Sequence, residues 1–443
     1  MRPRALVRAG LLAGVLLLPL ASQALAQTGS APLPPVDVVK VEGALDRPLL
    51  GYVNGMLDDA EARGATVVLE VDSAGGIGDE AIGLADRLVA MKVPVIVWVG
   101  PVPARASGAG MLLLLASSLP AVAPGSQTGP LDPVDLLHPD DRPPGLDAQI
   151  DRWLAARGRT VDRTHEDEAL DAQQSLDYGF AQVASPSVIA LLDQVDGTTV
   201  PTAGGDAVLH THVATTDADA QAGNGVSIRF GEPGPVKRLE HAVASPSMIY
   251  FLLVFGLSCL AFEQTQPGFG FAGFAGLFLL VLAGYGISVV PPTWYGFVVF
   301  LAGLGMLALD VRLRRFGPLT WGGTVVFAIG SFLLYGQVAH AIRISPWLIV
   351  GATVGVFLFF GFGLTVAIAS RDRILTAQRG LIGLVGEARG KMAPDGPVFV
   401  KGSLWRGRSL GEPIASGTKV RVRGVDGLVL KVEPEPDALA PNE

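Results

Sequence analysis

A chain of 443 residues is too long for one compact core, and with 17% charged residues and a mean hydropathy of +0.44 its composition calls for a membrane-embedded part beside the water-exposed ones. The single cysteine, Cys259, excludes an intrachain disulfide and any cysteine-based metal cluster. Residues 27–245 hold 14 Lys+Arg against 30 Asp+Glu, a net of −16, and residues 246–443 hold 16 against 11, a net of +5; the acidic part argues against nucleic acid as its partner, because phosphate binding needs clustered positive charge.

In chain order, Arg2, Arg4 and Arg8 precede an apolar run over 9–20, and Ala24-Leu-Ala26 offers a small-residue cleavage site, so 1–26 reads as a secretory signal peptide and the domain after it as exported. From 36 to 201 strand-like runs alternate with helical ones, the pattern of an α/β domain with a mainly parallel sheet. Thr66-Val-Val-Leu-Glu-Val-Asp72 is a strand followed by Ser73-Ala-Gly75-Gly76, and then a helix is predicted with Ile82, Ala85, Leu88 and Val89 on its apolar face. A buried strand over 93–100 leads into Ala104-Arg-Ala-Ser107-Gly-Ala-Gly110 and a short apolar helix over 111–117.

Ser107 thus lies between a strand and a helix N-terminus, with glycines that permit tight backbone geometry, where a nucleophile belongs. The N–H groups of Gly75, Gly76 and Gly108 are candidates for one oxyanion hole, each such donor contributing roughly 2.7–4 kcal/mol in enzymes of this kind. The same Ser-Gly-Ala-Gly run also reads as a plain helix cap and packing site.

Residues 202–240, rich in Thr, Ala, Asp and Gly, read as a linker or a small β extension, within a connection that runs over 202–245 to the first apolar segment. Five apolar segments come next, at 246–262, 269–290, 294–309, 319–337 and 346–369, the first and third near the lower length for spanning. Arg312, Arg314, Arg315, Arg371 and Arg373 fall on one side if the first domain is exported, which fits an odd number of spans by the positive-inside rule. Gly268, Gly270, Gly273 and Gly276, and the pair Gly351 and Gly355, let helices approach closely within the chain. Acidic and histidine residues do not cluster within these segments, so ion transport has little support.

Residues 380–433 are short alternating runs with glycine turns, the pattern of a small β-barrel. Trp405 among Arg406, Arg408, Arg421 and Arg423 resembles an oligonucleotide-binding face, but 370–443 carries only 12 Lys+Arg against 9 Asp+Glu, so a protein-contact or structural role is favoured over nucleic acid.

Val39-Lys-Val-Glu-Gly43, Asp72-Ser-Ala-Gly-Gly76, Ala106-Ser107, Ala121-Val-Ala-Pro-Gly-Ser-Gln-Thr-Gly129 and Leu170-Asp-Ala-Gln-Gln-Ser-Leu-Asp-Tyr-Gly179 come in an order that resembles the ClpP-class serine proteases of the NfeD type. The opening glycines Gly380, Gly383 and Gly386 are similar to those of the OB-fold domain that ends such proteins. The resemblance implies a ClpP/crotonase-like α/β domain, a helical transmembrane bundle and an all-β OB-fold barrel, the first extracytoplasmic and the last cytoplasmic. It further implies a serine endopeptidase with Ser107 as nucleophile, no cofactor and no metal, assembly with other copies, and stomatin-like membrane proteins as partners whose hydrophobic segments are the substrates.

The family pairs its serine with a lysine some forty residues on, and this chain has no lysine between Lys92 and Lys237. Lys92 precedes the strand that delivers Ser107, and eight or more extended residues at ~3.3 Å each put it out of reach. Arg142 and Arg152 stay protonated and are no bases. His138 is the intrachain candidate base. Two classes therefore stay open: a membrane-anchored protease with an unidentified base, and a protease-like scaffold that binds peptides.

Overall fold

The computed structural model describes residues 33–213, 225–264, 270–313, 317–364, 366 and 380–435; the signal-peptide stretch 1–26 lies outside them, as do Arg314, Arg315, Arg371 and Arg373. The chain divides into two compact units, one comprising Met1–Tyr250, Leu282–Thr293 and Tyr335–Ile344, the other Phe251–Val281, Trp294–Leu334 and Ser345–Glu443.

The first unit is built on a six-stranded, all-parallel sheet. Its strands are β1 (Val36–Glu42), β2 (Thr66–Asp72), β3 (Val95–Val99), β5 (Leu119–Val122), β7 (Val183–Ala184) and β10 (Ile228–Gly231), in the order β10-β1-β2-β3-β5-β7. Parallel neighbours need crossovers, and α1 (Arg47–Arg63), α2 (Glu80–Ala90) and α3 (Ala109–Ala116) supply them. Alternation along β2 sorts the core into two layers: Val67, Leu69 and Val71 face α1, α2 and α3, whereas Val68 packs with Ile96, Trp98 and α6 (Val188–Gln194) on the other side. In α2 the buried face is Ala81, Leu84, Ala85 and Leu88, while Ile82 and Val89 are half-buried, so the face sits about one residue away from the one read in the sequence. A two-stranded parallel ribbon, β4 (Arg105–Ala106) with β6 (Gln127–Thr128), stands apart from the main sheet. The ClpP/crotonase-like α/β arrangement expected is the one present.

Of the two readings of 202–245, linker or small β extension, the described residues take the second and add a helix. After a hairpin of β8 (Thr199–Thr202) and β9 (Gly205–Val208), β10 joins the edge of the main sheet beside β1, and α7 (Pro235–Val243) packs on α1. An ion pair explains the placement. Asp37 on β1 is fully buried, and Arg63 of α1 (2.6 Å) and Arg229 of β10 (3.0 Å) both donate to it, so one buried carboxylate ties the strand to β1 and to α1.

Of the apolar helices, α8 (Pro246–Glu263), α9 (Phe271–Val289), α10 (Trp294–Arg312) and the run Pro346–Leu364, which begins as α12 (Pro346–Leu358), are long and apolar enough to cross a membrane. The segment α11 (Pro318–Leu334) has 17 residues. Among the described residues the expected five or so spans are thus four helices of full length and one shorter one, and the shorter one is not among the two the sequence singled out. Within the second unit, a Cβ on Gly256 would meet Leu280 at 2.9 Å and one on Gly276 would meet Gly256 O at 2.8 Å, so α8 and α9 touch backbone to backbone. Between α10 and α11 the contact is reciprocal, Gly303 against Phe327 and Gly330 against Phe300. Gly351 and Gly355, by contrast, face open space.

Two buried acids cap the connections. Glu263 accepts from the amides of Gly270 and Gly273 (2.9 Å for the latter), and Asp310 accepts from those of Gly317 (3.0 Å) and Thr320 (2.9 Å), in each case seven and ten residues on. The second unit also holds a closed barrel of β11 (Val385–Ala388), β12 (Asp395–Val400), β13 (Ser403–Ser409), β14 (Lys419–Asp426) and β15 (Val429–Pro434), ordered β11-β12-β13-β15-β14, consistent with an OB-fold. Its arginines are matched by carboxylates: Arg406 and Arg408 meet Asp395, Arg421 meets Glu435, and Arg423 meets Glu433.

His241 of α7 fixes the start of α1. Its Nδ1 lies 2.6 Å from the buried Asp46, whose other oxygen caps Leu49 N, and this hydrogen bond raises the imidazole pKa above its ordinary 6.5 against the opposing effect of burial. A pKa raised by folding contributes stability that is complete below the unfolded value and is lost as pH rises through the folded one. The thermal midpoint of the wild-type chain is therefore expected to fall as pH is raised from about 6.5, and His241→Gln to flatten that slope; equal slopes in the two proteins would refute the coupling.

Candidate active site

Ser107 is placed by its backbone. Ser73 N donates to Arg105 O (2.7 Å), Ser107 N donates to Ser73 O (2.9 Å), and Gly129 N donates to Ala106 O (2.8 Å), so β4 is clamped between the end of β2 and the end of β6. Gly108 then turns the chain into α3 with φ +52°, and a Cβ there would come 2.2 Å from Pro133 O. The far end of α3 is held too. Buried Arg157 donates to Ala116 O (3.1 Å) and Leu88 O (2.6 Å), and Arg159 donates to Leu114 O and Leu115 O (3.2 Å each), cations placed at the negative end of a helix dipole. Burial lowers both guanidinium pKa values to about 10, which leaves them charged at neutral pH.

The hydroxyl of Ser107 donates to Gly129 O at 2.8 Å. Gly129 is a participant that the sequence reading missed: its φ is +77°, and a Cβ would come 2.2 Å from Glu168 O, so only glycine fits beneath the serine. Over Ser107 opens a hollow of about 610 Å³. Ala74, Arg105, Pro130, Asp132, Pro133 and Leu136 line one part of it, and the connection from Gly336 to Arg343 lines the rest.

The amides expected to form an oxyanion hole are already engaged. Gly75 N donates to Ser73 Oγ (3.3 Å), Gly76 N to Val134 O (3.1 Å) and Gly108 N to Pro130 O (2.9 Å). Leu136 N donates back to Gly76 O (2.8 Å), and Asp135 bridges Gly76 in parallel, so Pro130 through Leu136 lies along the Gly76 edge as an added strand would. A Cβ on Gly75 would meet Leu136 at 2.8 Å, so Gly75 makes room for this contact, and one on Gly76 would meet Ala109 Cβ at 2.9 Å, so Gly76 makes room for α3.

The structure does not bring His138 to Ser107. Its Nδ1 pairs with Asp135 (2.9 Å), its side chain is 65% exposed, and it is absent from the walls of the hollow. Arg142 serves as a clasp: it meets Asp132 (2.8 Å), Asp147 (2.7 Å) and Glu166 (2.8 Å), and Arg163 meets Asp147 and Glu166 from the other side. These pairs tie α4 (Leu146–Ala156) to the segment that covers Gly76 and hold the Asp147 carboxyl below its usual range, chiefly through Arg163. Among the described residues, no group of three or more His, Cys, Asp or Glu is arranged to hold a metal ion.

Comparison with known proteins assigns the pieces. Residues 247–366 match the NfeD integral membrane domain and residues 378–434 the NfeD-like C-terminal, partner-binding domain. The membrane-bound protease PH1510 of Pyrococcus horikoshii is 28% identical over 397 residues, 85% of this chain and 86% of that one. The membrane protein NfeD1b of Bacillus subtilis is 24% identical over 415 residues, 88% of this chain and 91% of that one. Among solved structures, the 1510-N membrane protease specific for a stomatin homologue from Pyrococcus horikoshii is 24% identical, covers 47% of this chain and 98% of its own, and superposes with a TM-score of 0.39. The chain thus carries an NfeD integral membrane domain and an NfeD-like C-terminal domain in series behind a ClpP-like fold, and it is a membrane protease-like protein homologous to PH1510 over most of its length.

Proposed function

We propose that the chain is a ClpP-class serine endopeptidase of the membrane, with Ser107 as nucleophile and apolar segments of membrane proteins as substrates. The observation that carries this reading is the rigid presentation of Ser107, clamped through β4 at the head of a doubly anchored helix, beneath a hollow of a size that takes several side chains. The engaged amides describe how substrate is admitted. Val134 O and Pro130 O stand where carbonyls of a bound peptide would accept from Gly76 and Gly108, so an extended substrate displaces Pro130 through Val134 and takes over their hydrogen bonds.

A second reading, a non-catalytic scaffold that holds peptides, is favoured by one observation: the stretch between Lys92 and Lys237 holds no lysine to pair with Ser107. The two are separated by a fluorophosphonate probe on the purified full chain. Labelling is expected in wild type and lost in Ser107→Ala, and Gly108→Ala is expected to reduce it at least about tenfold because its Cβ has no room. A folded wild-type protein that binds an apolar peptide yet takes no label decides for the scaffold.

A stomatin-like membrane protein is the proposed partner, since a solved relative is specific for a stomatin homologue and the barrel belongs to a partner-binding domain family. Crosslinking in native membranes is expected to capture such a protein in complex with the chain; repeated recovery of the chain without one counts against the assignment. The same membranes test the orientation, with the protease-like domain outside and the barrel inside. Added protease is expected to degrade the first and spare a tag on the second, and the reverse pattern inverts the topology.

A further inference from the structure

We infer that His340, delivered to the site by the connection between two membrane helices, is the proton acceptor for Ser107; the inference rests on the protease reading above.

The hollow over Ser107 is walled by five charged or titratable side chains: Arg105, Asp132, Asp140, His340 and Arg343. The two arginines remain protonated and accept nothing. Asp132 is held by Arg142 at 2.8 Å, and carboxylates such as it and Asp140 are far weaker bases than an imidazole. Imidazole alone in this set has a basicity matched to neutral conditions, the requirement for general-base catalysis.

The other histidines are committed elsewhere. Of the six in the chain, His138 pairs with Asp135, His165 stacks on Tyr178 at 4.0 Å, His212 pairs with Asp193 and His241 with Asp46, and His210 lies off the hollow. His340 is held where it stands by its neighbours. Ala339 N donates to Leu136 O (2.8 Å), a bond to the very segment that covers Gly76, and Val338 and Ala339 are buried. Arg343 donates to Val338 O (3.1 Å), closing the turn, while Tyr335 Oη donates to Val290 O (3.0 Å) at its entrance. His340 is exposed and is among the residues that line the hollow, and the contact of its ring with Arg343, at 3.5 Å, is at the outer limit of a hydrogen bond and is readily given up.

In the reaction so assigned, Ser107 Oγ leaves Gly129 O and bonds to the scissile carbonyl carbon while its proton passes to a ring nitrogen of His340. The C–N bond then breaks as the imidazolium returns that proton to the departing amine. Water, deprotonated by the same imidazole, hydrolyses the acyl-serine and regenerates both groups. The lysine of the family is replaced here by a base reached through the fold and not along the domain's own sequence.

The test is the rate of fluorophosphonate labelling of the detergent-solubilised full chain from about pH 5 to 9. His340→Ala is expected to slow labelling by roughly 10²- to 10⁴-fold at pH 8 and to abolish the inflection of rate with pH, with added imidazole restoring part of the rate. Binding of an apolar peptide should stay within about twofold of wild type, and His212→Ala should label as wild type does. Wild-type rate and inflection in His340→Ala, with labelling still lost in Ser107→Ala, overturn the role of His340 alone. No labelling of the wild type at any pH overturns this inference together with the protease reading.

Discussion

The site depends on two residues of strand. Arg105 and Ala106 are bound on one flank by Ser73 and on the other by Gln127 through Gly129, and every other feature of the centre derives from that clamp. It sets the height of Ser107 above the sheet and forces the left-handed step at Gly108. It also brings Gly129 O directly under the hydroxyl. Main-chain bonds of this kind are indifferent to side-chain chemistry, which is why so little at the centre is polar and so much is glycine or alanine.

The same reliance on backbone accounts for the covered groove. Buried amides must find acceptors, and those of Gly76 and Gly108 have none on their own strand or helix. Pro130 through Leu136 meets that need from within the chain, and the price is specificity for whatever can offer a better row of carbonyls. Arg142 and Arg163, with Asp132, Asp147 and Glu166 between them, set how firmly the covering segment is held. Because several of these charges are only partly exposed, their grip is less open to salt than a surface pair would be.

Much of the fold is legible in local pattern. The run from Thr66 to Asp72 is β2 with those bounds, the Ser107 turn falls between a strand and a helix, and the five strands of the barrel are marked by their glycine turns. The features that escape are set by partners distant in sequence. β10 is four residues among glycines and prolines, and only Arg229 meeting Asp37 across 192 positions reveals why it joins the sheet. Pro130 through Leu136 reads as a loop because prolines and aspartates give it no period, yet it pairs with Gly76 through backbone alone. Residues 335–344 look like the tail of one apolar segment and the gap before another. Nothing in their composition announces that they belong with Ser107. Glu263 and Asp310 draw no notice because each stands alone, and the amides they cap become visible only once the next helix is in place.

Those two acids bear on how the membrane part is made. Carried into hydrocarbon on a solitary helix, a carboxylate has no donors and is strongly disfavoured; folded against the start of the following helix, Glu263 and Asp310 each meet two amides. The smallest piece in which neither acid is left unsatisfied is therefore a helical hairpin, α8 with α9 and α10 with α11. Each acid thus ties the end of one helix to the start of the next, and the run from Pro346 to Leu364 has no such acid of its own among the described residues.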